Sequence, residues 1–499
     1  MKIVFKSYSS LPPLSWGAEI TKEIVTIHHG LRLEHGEDWL VDGAWAGPFE
    51  AGLPEEDVEG FFAFGLRVRN NEARIDCPMH PLERLFLLRE GNRLFVTPSL
   101  PFLLCLAKAD VDVGYPDYMF DLFRVISRIS ENCGSTPLAG GKTLQVVANR
   151  RVLISPNLDV KIEYRPLEKS FRDFAEYKNF LIQITKGIRD NVSSPARRAG
   201  TYGLAAAISN GYDSPMLNVL AAPFGLKDAV TFSAPGDTED SGEHIGPYIG
   251  IKVHPINRHE YQRMPGLPEA EFIATGTRGE DVVLAGAESH FQNKAVITGI
   301  FGEIADKNLK NPSADIVRTN TVGCGLLEYR WRVGFLHAPT GHAGCMGMMS
   351  LKAICNSREM QPWSVGGKYD RPVARRIIEE AGVPRGSFAK YKIGLITVKF
   401  DVRDDELKSV MNPASHASLM DFVQRERSRR PLSMRLRRIG KYAVYRAERF
   451  AGRKLEQWGV LDKAQISFDP RHQVLPSHSS YLIPWSVRLL QEKYSRALQ

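Results

Sequence analysis

Ser209-Asn210-Gly211-Tyr212-Asp213-Ser214 puts two serine hydroxyls, a glycine and one carboxylate into six residues. It lies between an apolar run, Tyr202 to Ile208, and an amphipathic run, Pro215 to Leu220. The first reads as a buried strand and the second as a helix. A small, hydroxyl-rich loop at that junction is expected to offer free backbone N–H groups to phosphate, helped by the positive end of the helix. Like charges repel, so Asp213 makes sense beside phosphate only with a divalent cation between them. The residues therefore point to a nucleotide with Mg2+. The competing role for Asp213 is a helix N-cap.

The surrounding elements must hold that loop in place. Residues 1–165 read as mainly β, with short apolar runs such as Phe61 to Val68 and Arg93 to Thr97 between Gly, Asn and Pro turns. Leu144 to Ala148 and Arg151 to Ile154 resemble a hairpin about Asn149-Arg150, and Tyr118 to Ile129 reads as a helix. After Pro166 the pattern changes to a helix over Phe171–Ile188, strand 202–208, helix 215–222 and strand Asp228–Ser233. A helix over Glu243–Ile251 and a strand over Ala295–Gly299 follow, and the tail from about 370 reads mainly helical. Alternating strands and helices predict a doubly wound parallel sheet in a 166–499 domain.

Composition narrows the function classes. The chain has 499 residues, with 43% hydrophobic and 24% charged, in the range of globular proteins. It contains no apolar run long enough to span a bilayer and no signal-peptide pattern, so a cytoplasmic location is expected. The six cysteines form no CxxC pair, and no zinc pattern appears. Residues 425–454 hold twelve Lys or Arg against two Glu, a local charge of +10, leaving −2 for the rest of the chain's +8. That segment suits an anionic polymer, nucleic acid or the inner face of a membrane, and a solvated helical face explains it equally well.

The hexapeptide resembles the SGGxDS pyrophosphate loop of the N-type ATP pyrophosphatases. Three further features resemble the asparagine synthetase-like family in the family's order. His80-Pro81-Leu82-Glu83-Arg84-Leu85-Phe86 and Phe95-Val96-Thr97-Pro98-Ser99 are similar to its glutaminase-like half. Ile297-Thr298-Gly299-Ile300-Phe301-Gly302-Glu303 is similar to its second, acid-bearing motif. Arg371 to Ile377, Val383-Pro384-Arg385 and Lys390-Tyr391-Lys392-Ile393-Gly394 resemble its C-terminal helix, Pro turn and lysine loop. The resemblance implies an Ntn-like β sandwich over 1–165 and an adenine nucleotide α-hydrolase-like domain over 166–499. The class II glutaminases use a cysteine just after the initiator Met, where this chain has Lys2. The N-terminal region is thus expected to be a degenerate remnant, as in β-lactam synthetases and lasso-peptide cyclases.

By the same resemblance, Ser209, Asn210, Gly211, Asp213, Ser214 and Gly299 hold the pyrophosphate of ATP, and Asp213 and Glu303 share Mg2+. Phe232 and Ser233 give adenine its backbone contacts. Asn210 replaces a glycine, and its tolerance of left-handed backbone is expected to preserve the turn. Lys392, with Lys390 as fallback, serves the transition state. Glu328 stands where β-lactam synthetases place a glutamate of an acid–base pair, and an i,i+4 ion pair with Arg332 is the competing role. His337 and His342 line a substrate pocket or act structurally, as do the residues of Glu359–Trp363. The implied reaction adenylates a small-molecule or peptide carboxylate and passes it to an amine, without glutamine hydrolysis. An RNA-modifying pyrophosphatase and a non-catalytic relative are the alternatives.

Overall fold

A computed structural model describes residues 1–128, 131–165, 169–233, 240–300, 305–308, 320–389, 398–427 and 478–499, with isolated positions between 440 and 454. Glu303, Lys390, Lys392 and most of the basic 425–454 segment lie outside the described residues.

The N-terminal region builds two sheets. Strands β1 (Lys2–Ser7), β2 (Trp16–Ile20), β3 (Ile24–His29), β8 (Leu85–Glu90), β9 (Arg93–Thr97), β10 (Cys133–Pro137) and β11 (Thr143–Val147) pair in the order β1-β3-β2-β9-β8-β11-β10. Strands β4 (Glu34–His35), β5 (Trp39–Val41), β6 (Gly65–Arg69), β7 (Glu72–Asp76), β12 (Arg150–Ile154) and β13 (Val160–Tyr164) form the second, in the order β13-β12-β7-β6-β5-β4. Both sheets turn apolar side chains into one core, including Trp16, Ala18 and Val96 from the first and Leu66, Ile75 and Val152 from the second. Helix α1 (Leu100–Ala107) packs on β8 and β9, and α2 (Tyr118–Ser127) packs on β10.

The expected hairpin over 144–154 does not form. β11 pairs with β8 and β10, whereas β12 pairs with β7 and β13. The chain crosses from one sheet to the other at Ala148-Asn149, with Asn149 at φ 48°. The backbone there is satisfied by bonds to Asn132 and Cys77 instead of by a turn. Local alternation is the same in both arrangements, so only the partner strands decide between them.

The second region holds a five-stranded sheet. β14 (Gly203–Ala207), β15 (Asp228–Ser233), β16 (Lys252–Asn257), β17 (Lys294–Ile297) and β18 (Leu336–Ala338) run in the order β16-β15-β14-β17-β18, with every pair parallel. Leu204, Ala205 and Ala206 of β14 and Ala295, Val296 and Ile297 of β17 are buried, as inner strands of a parallel sheet require. Pro255, which has no N–H to give, sits on the edge strand β16. Helices α3 (Phe174–Val192) and α4 (Asp213–Ala221) flank β14 in sequence. α3 begins three residues later than the apolar pattern suggests, where the Asp173 side chain accepts from the Glu176 N–H at 2.9 Å. The helix expected over 243–251 shrinks to Gly246–Ile249, stopped by Gly250 at φ 69°. The described tail is helical, over Pro372–Glu380, Asp404–Val410, Pro413–Arg427 and Ser479–Ala497. No described helix is long and apolar enough to cross a membrane.

The two regions are joined by a buried charge cluster. Arg330, on the helix Leu327–Val333, sends Nε and Nη2 to the two oxygens of Glu83 at 2.7 and 2.8 Å. Its Nη1 and Nη2 reach the carbonyl and carboxylate of Asp42, both at 3.0 Å. Asp42 also accepts from the Trp16 and Trp331 indoles and the Phe64 N–H. Burial disfavours the charged guanidinium, yet Asp42 and Glu83 hold its pKa above the ordinary value. Removing one partner would strand the others as charges without solvent. Arg330→Ala is expected to cost about 3–5 kcal/mol of stability, read by urea unfolding. A loss below ~1 kcal/mol would show that the cluster does not hold the regions together.

Candidate functional site

Sheet order fixes where a ligand can enter. The strand sequence reverses direction between β14 and β17, the switch point beyond whose carboxyl ends parallel sheets hold their ligands. The hexapeptide follows β14 and leads into α4, while Thr298-Gly299-Ile300 follows β17. Both stretches therefore meet at that switch point. Gly299 is pressed against the start of α4: a Cβ there would sit 2.7 Å from the Ser214 nitrogen and 2.9 Å from the Asp213 carbonyl carbon. A Cβ on Gly341 would likewise lie 2.9 Å from the Ile300 carbonyl oxygen. These close approaches bring β14, β17 and the loop after β18 together.

The expectation of free N–H groups in the loop is met only in part, because the first three are already in use. The Ser209 N–H donates to Ser214 Oγ at 2.9 Å, and the Gly211 N–H to Ser209 Oγ at 3.3 Å. The Asn210 N–H donates to the Asp240 carbonyl at 2.9 Å. The two serine hydroxyls lie 3.1 Å apart. A serine oxygen five residues on satisfies the turn before any phosphate arrives. Neither Asn210 nor Gly211 is among the left-handed residues, so the turn does not draw on Asn210's tolerance of that conformation.

Asp213 does not cap α4, whose N-terminus has no side-chain cap. Its two carboxylate oxygens instead contact Nη1 of Arg371, whose Nε reaches Asp306 at 3.2 Å. Arg371 is 2% exposed and the Asp213 side chain 24%. If Asp213 turned to a ligand, Arg371 would keep Asp306, so the exchange would not leave a buried cation unpaired. The segment carrying Arg371 clasps the loop at further points. Arg375 donates to the Tyr212 hydroxyl at 2.7 Å, Tyr369 packs on the Tyr212 ring at 4.8 Å, and the Ala389 N–H donates to the Asn210 carbonyl at 2.7 Å. The resemblance puts Arg371 and Arg375 in a C-terminal helix without assigning either a contact to the loop, and Tyr369 and Asp306 fall in no motif. Arg371 lies 158 residues from Asp213, and no local pattern links positions so far apart.

Phe232 and Ser233 end β15, as expected. Phe232 is buried, and the Ser233 carbonyl already accepts the Arg258 N–H at 3.0 Å. His337 and His342 are buried together with His80 from the N-terminal region, with ring centroids 6.3 and 6.0 Å from His80. His337 Nε2 meets the Thr298 hydroxyl at 2.8 Å, and burial pulls its pKa down to about 3. The imidazole is therefore neutral at pH 7. The Cys345 sulfur lies 3.3 Å from His342 Nε2, but burial raises its thiol pKa well above the usual value, so no thiolate forms there. Glu359–Trp363 packs on the helix Pro372–Glu380, where the Arg376 guanidinium lies 4.3 Å from the Trp363 ring centroid.

Glu328 faces elsewhere. Its Oε2 accepts from the Tyr494 hydroxyl at 2.6 Å, on the C-terminal helix. Arg332 pairs with Glu271 and Glu288 and not with Glu328. Among the described residues no cluster of three His, Cys, Asp or Glu could hold a metal.

No protein-family model matches the chain, and no curated protein matches it in sequence.

The close approach at Gly299 is open to test. Gly299→Ala is expected to lower stability by roughly 1–3 kcal/mol in chemical denaturation. Gly386→Ala, where an added Cβ meets nothing within 4 Å, serves as the near-neutral control.

Proposed function

We propose that this protein is an ATP-dependent, AMP-forming amide ligase of asparagine synthetase-like build, without glutamine hydrolysis. The observation that carries this reading is the hexapeptide's position at the reversal of strand order, with Asp213 opening α4 and Gly299 against it. In this reading the N-terminal sheets are an Ntn-like remnant and the parallel sheet is of adenine nucleotide α-hydrolase type.

The residues present fit Mg2+ brought in by a nucleotide. That ion needs one or two carboxylates and completes its shell with phosphate oxygens and water. Asp213 supplies one carboxylate from a partly exposed position, and Glu303 is the other in the proposed set. The ion's contribution is charge neutralisation on the pyrophosphate. Arg371 adds a second positive charge beside Asp213, and the Ser209 and Ser214 hydroxyls can turn from each other to phosphate oxygens. A carboxylate substrate would attack the α-phosphate, pyrophosphate would leave, and an amine would take the acyl group from AMP. Lys392 is proposed to offset the leaving charge. Ala389, three residues earlier, bonds the loop, and three residues span at most about 11 Å.

A non-catalytic relative is the second reading, favoured by the Arg371–Asp213 contact and by the N–H groups already in use. ATP–pyrophosphate exchange against pools of carboxylates separates the two. Exchange is expected in the native chain and is expected to fall at least ~100-fold in Asp213→Asn. Exchange that survives Asp213→Asn sinks the role given to Asp213, and absence of both exchange and Mg-ATP binding favours the second reading.

A further inference from the structure

A cavity of about 290 Å3 lies beside the β6–β7 hairpin, lined by Glu55, Arg67, Arg69, Asn70, Glu72 and Arg74. Leu66, Val68, Ala73 and Ile75 face the shared core, so alternation puts Arg67, Arg69, Glu72 and Arg74 on the opposite face. Register sets Arg67 directly opposite Arg74, with Arg69 two residues along the same strand. Like charges directly opposite each other destabilise a sheet, so that face calls for an anion. None of these residues belongs to the hexapeptide loop, and the site does not depend on the ligase reading.

The neighbouring carboxylates match only part of this charge. Asp38 takes Arg69 Nε at 2.6 Å, and Asp76 takes Arg74 Nε at 2.7 Å while also accepting from Arg151 at 2.8 Å. Glu72 stands across from Arg69, but the bonds of Arg69 go to Asp38 and Glu55. The other ends of the three guanidiniums gather on the segment 53–55. Arg67 Nη2 donates to the Leu53 carbonyl, and Arg74 Nη1 to the Glu55 carbonyl at 2.5 Å. Arg69 Nη1 bonds Glu55 Oε1, and Arg67 Nη1 lies 3.7 Å from the same oxygen. The Glu55 carboxylate thus marks a point where an anion is held, yet its side chain is 67% exposed. Arg67 Nη1, Arg69 Nη2 and Arg74 Nη2 donate to no group among the described residues. Nη1 of Arg67 and Nη2 of Arg74 are not buried, and the Arg69 side chain is 52% exposed. Burial lowers the Arg67 pKa, and Arg69 and Arg74 lower it further, against the pull of Asp38 and Glu55.

We propose that this cavity binds a phosphate dianion, free or as a small monoester, on Arg67, Arg69 and Arg74 in place of the Glu55 carboxylate. A carboxylate brings a single charge and a pair of oxygens, whereas a phosphate brings a further charge and a third oxygen for the third guanidinium. The planar fork of arginine suits that geometry. The exchange releases only an exposed side chain to water, so displacing Glu55 costs little.

The arrangement gives two variants opposite signs. Removing an arginine takes away part of the site, whereas removing the Glu55 charge takes away the competitor. Arginines that only pinned the segment 53–55 to the sheet would produce neither effect.

Titration calorimetry of the full chain with inorganic phosphate, methyl phosphate and acetate, at one ionic strength and at a pH where both phosphates are dianions, tests the proposal. Saturable phosphate binding is expected, about tenfold or more tighter than acetate, and the tighter of the two phosphates tells whether the site takes the free ion or an ester. Arg69→Gln, at an exposed position and in protein whose thermal melt shows it folded, should weaken binding about tenfold. Glu55→Gln should tighten it severalfold. Arg172→Gln, in an exposed ion pair outside the cavity, should leave it unchanged. No saturable binding of either phosphate up to ~10 mM, in the native chain and in Glu55→Gln, overturns the proposal. So does acetate binding as tightly, unchanged affinity in Arg69→Gln, or failure of Glu55→Gln to tighten binding.

Discussion

The guanidinium of Arg330 sits where the N-terminal sheets meet the parallel sheet, and much of the geometry follows from satisfying it. Two carboxylates and one carbonyl surround it, all buried. The desolvation of three charges is offset only when every donor and acceptor is matched, and here Asp42 takes indole and amide donors from both regions. That requirement leaves little freedom to the helix Leu327–Val333. β18 follows the helix directly, and the turn after β18 brings Gly341 onto Ile300 beside Gly299. Gly299 in turn abuts Asp213 and Ser214. A charge cluster far from the loop in sequence thus helps set the register of the strand ends that frame it.

The loop itself is closed by its own hydroxyls. Ser214 and Ser209 accept N–H groups that a phosphate would otherwise take, and Arg371 holds the carboxylate that a cation would otherwise take. Such a loop keeps its turn without ligand. Binding then exchanges one set of hydrogen bonds for another, so the net gain per bond is small and charge neutralisation must dominate any affinity. The lining cations, Arg371 foremost, matter more than the number of amides the loop can present.

Some of this was legible in the sequence, and the limits have physical causes. The run Tyr202–Ile208, the loop and the following helix were readable because a buried parallel strand is apolar throughout and the helix begins at a small polar loop. The crossing at Ala148-Asn149 was not, because alternation specifies faces and not partners. β18 is three residues long, too short for any period to mark it as a strand. The internal satisfaction of the loop could have been suspected from Ser209 and Ser214, since serine oxygens compete for nearby amides. The Asp213–Arg371 contact could not, since opposite charges far apart in a chain are common and few of them meet. The lysines expected at 390 and 392 lie beyond what the structure describes.

The helix Leu327–Val333 also shows why spacing alone misjudges a charge. Glu328 and Arg332 stand four apart, an arrangement worth roughly 0.2–0.5 kcal/mol on an exposed helix. Arg332 instead forks onto Glu288 and reaches Glu271, contacts of roughly 1.5–3 kcal/mol each before screening of its 38% exposed side chain. The larger sum wins, and Glu328 turns to Tyr494, whose ring stacks on Phe102 of α1 at 4.5 Å. Tyr494 can supply one hydroxyl proton and the glutamate has two oxygens. The stacking that fixes Tyr494 also prevents the ring from shifting to serve both. The Ser99 hydroxyl adds a second stabilising partner to that carboxylate, and burial still raises its pKa to about 7.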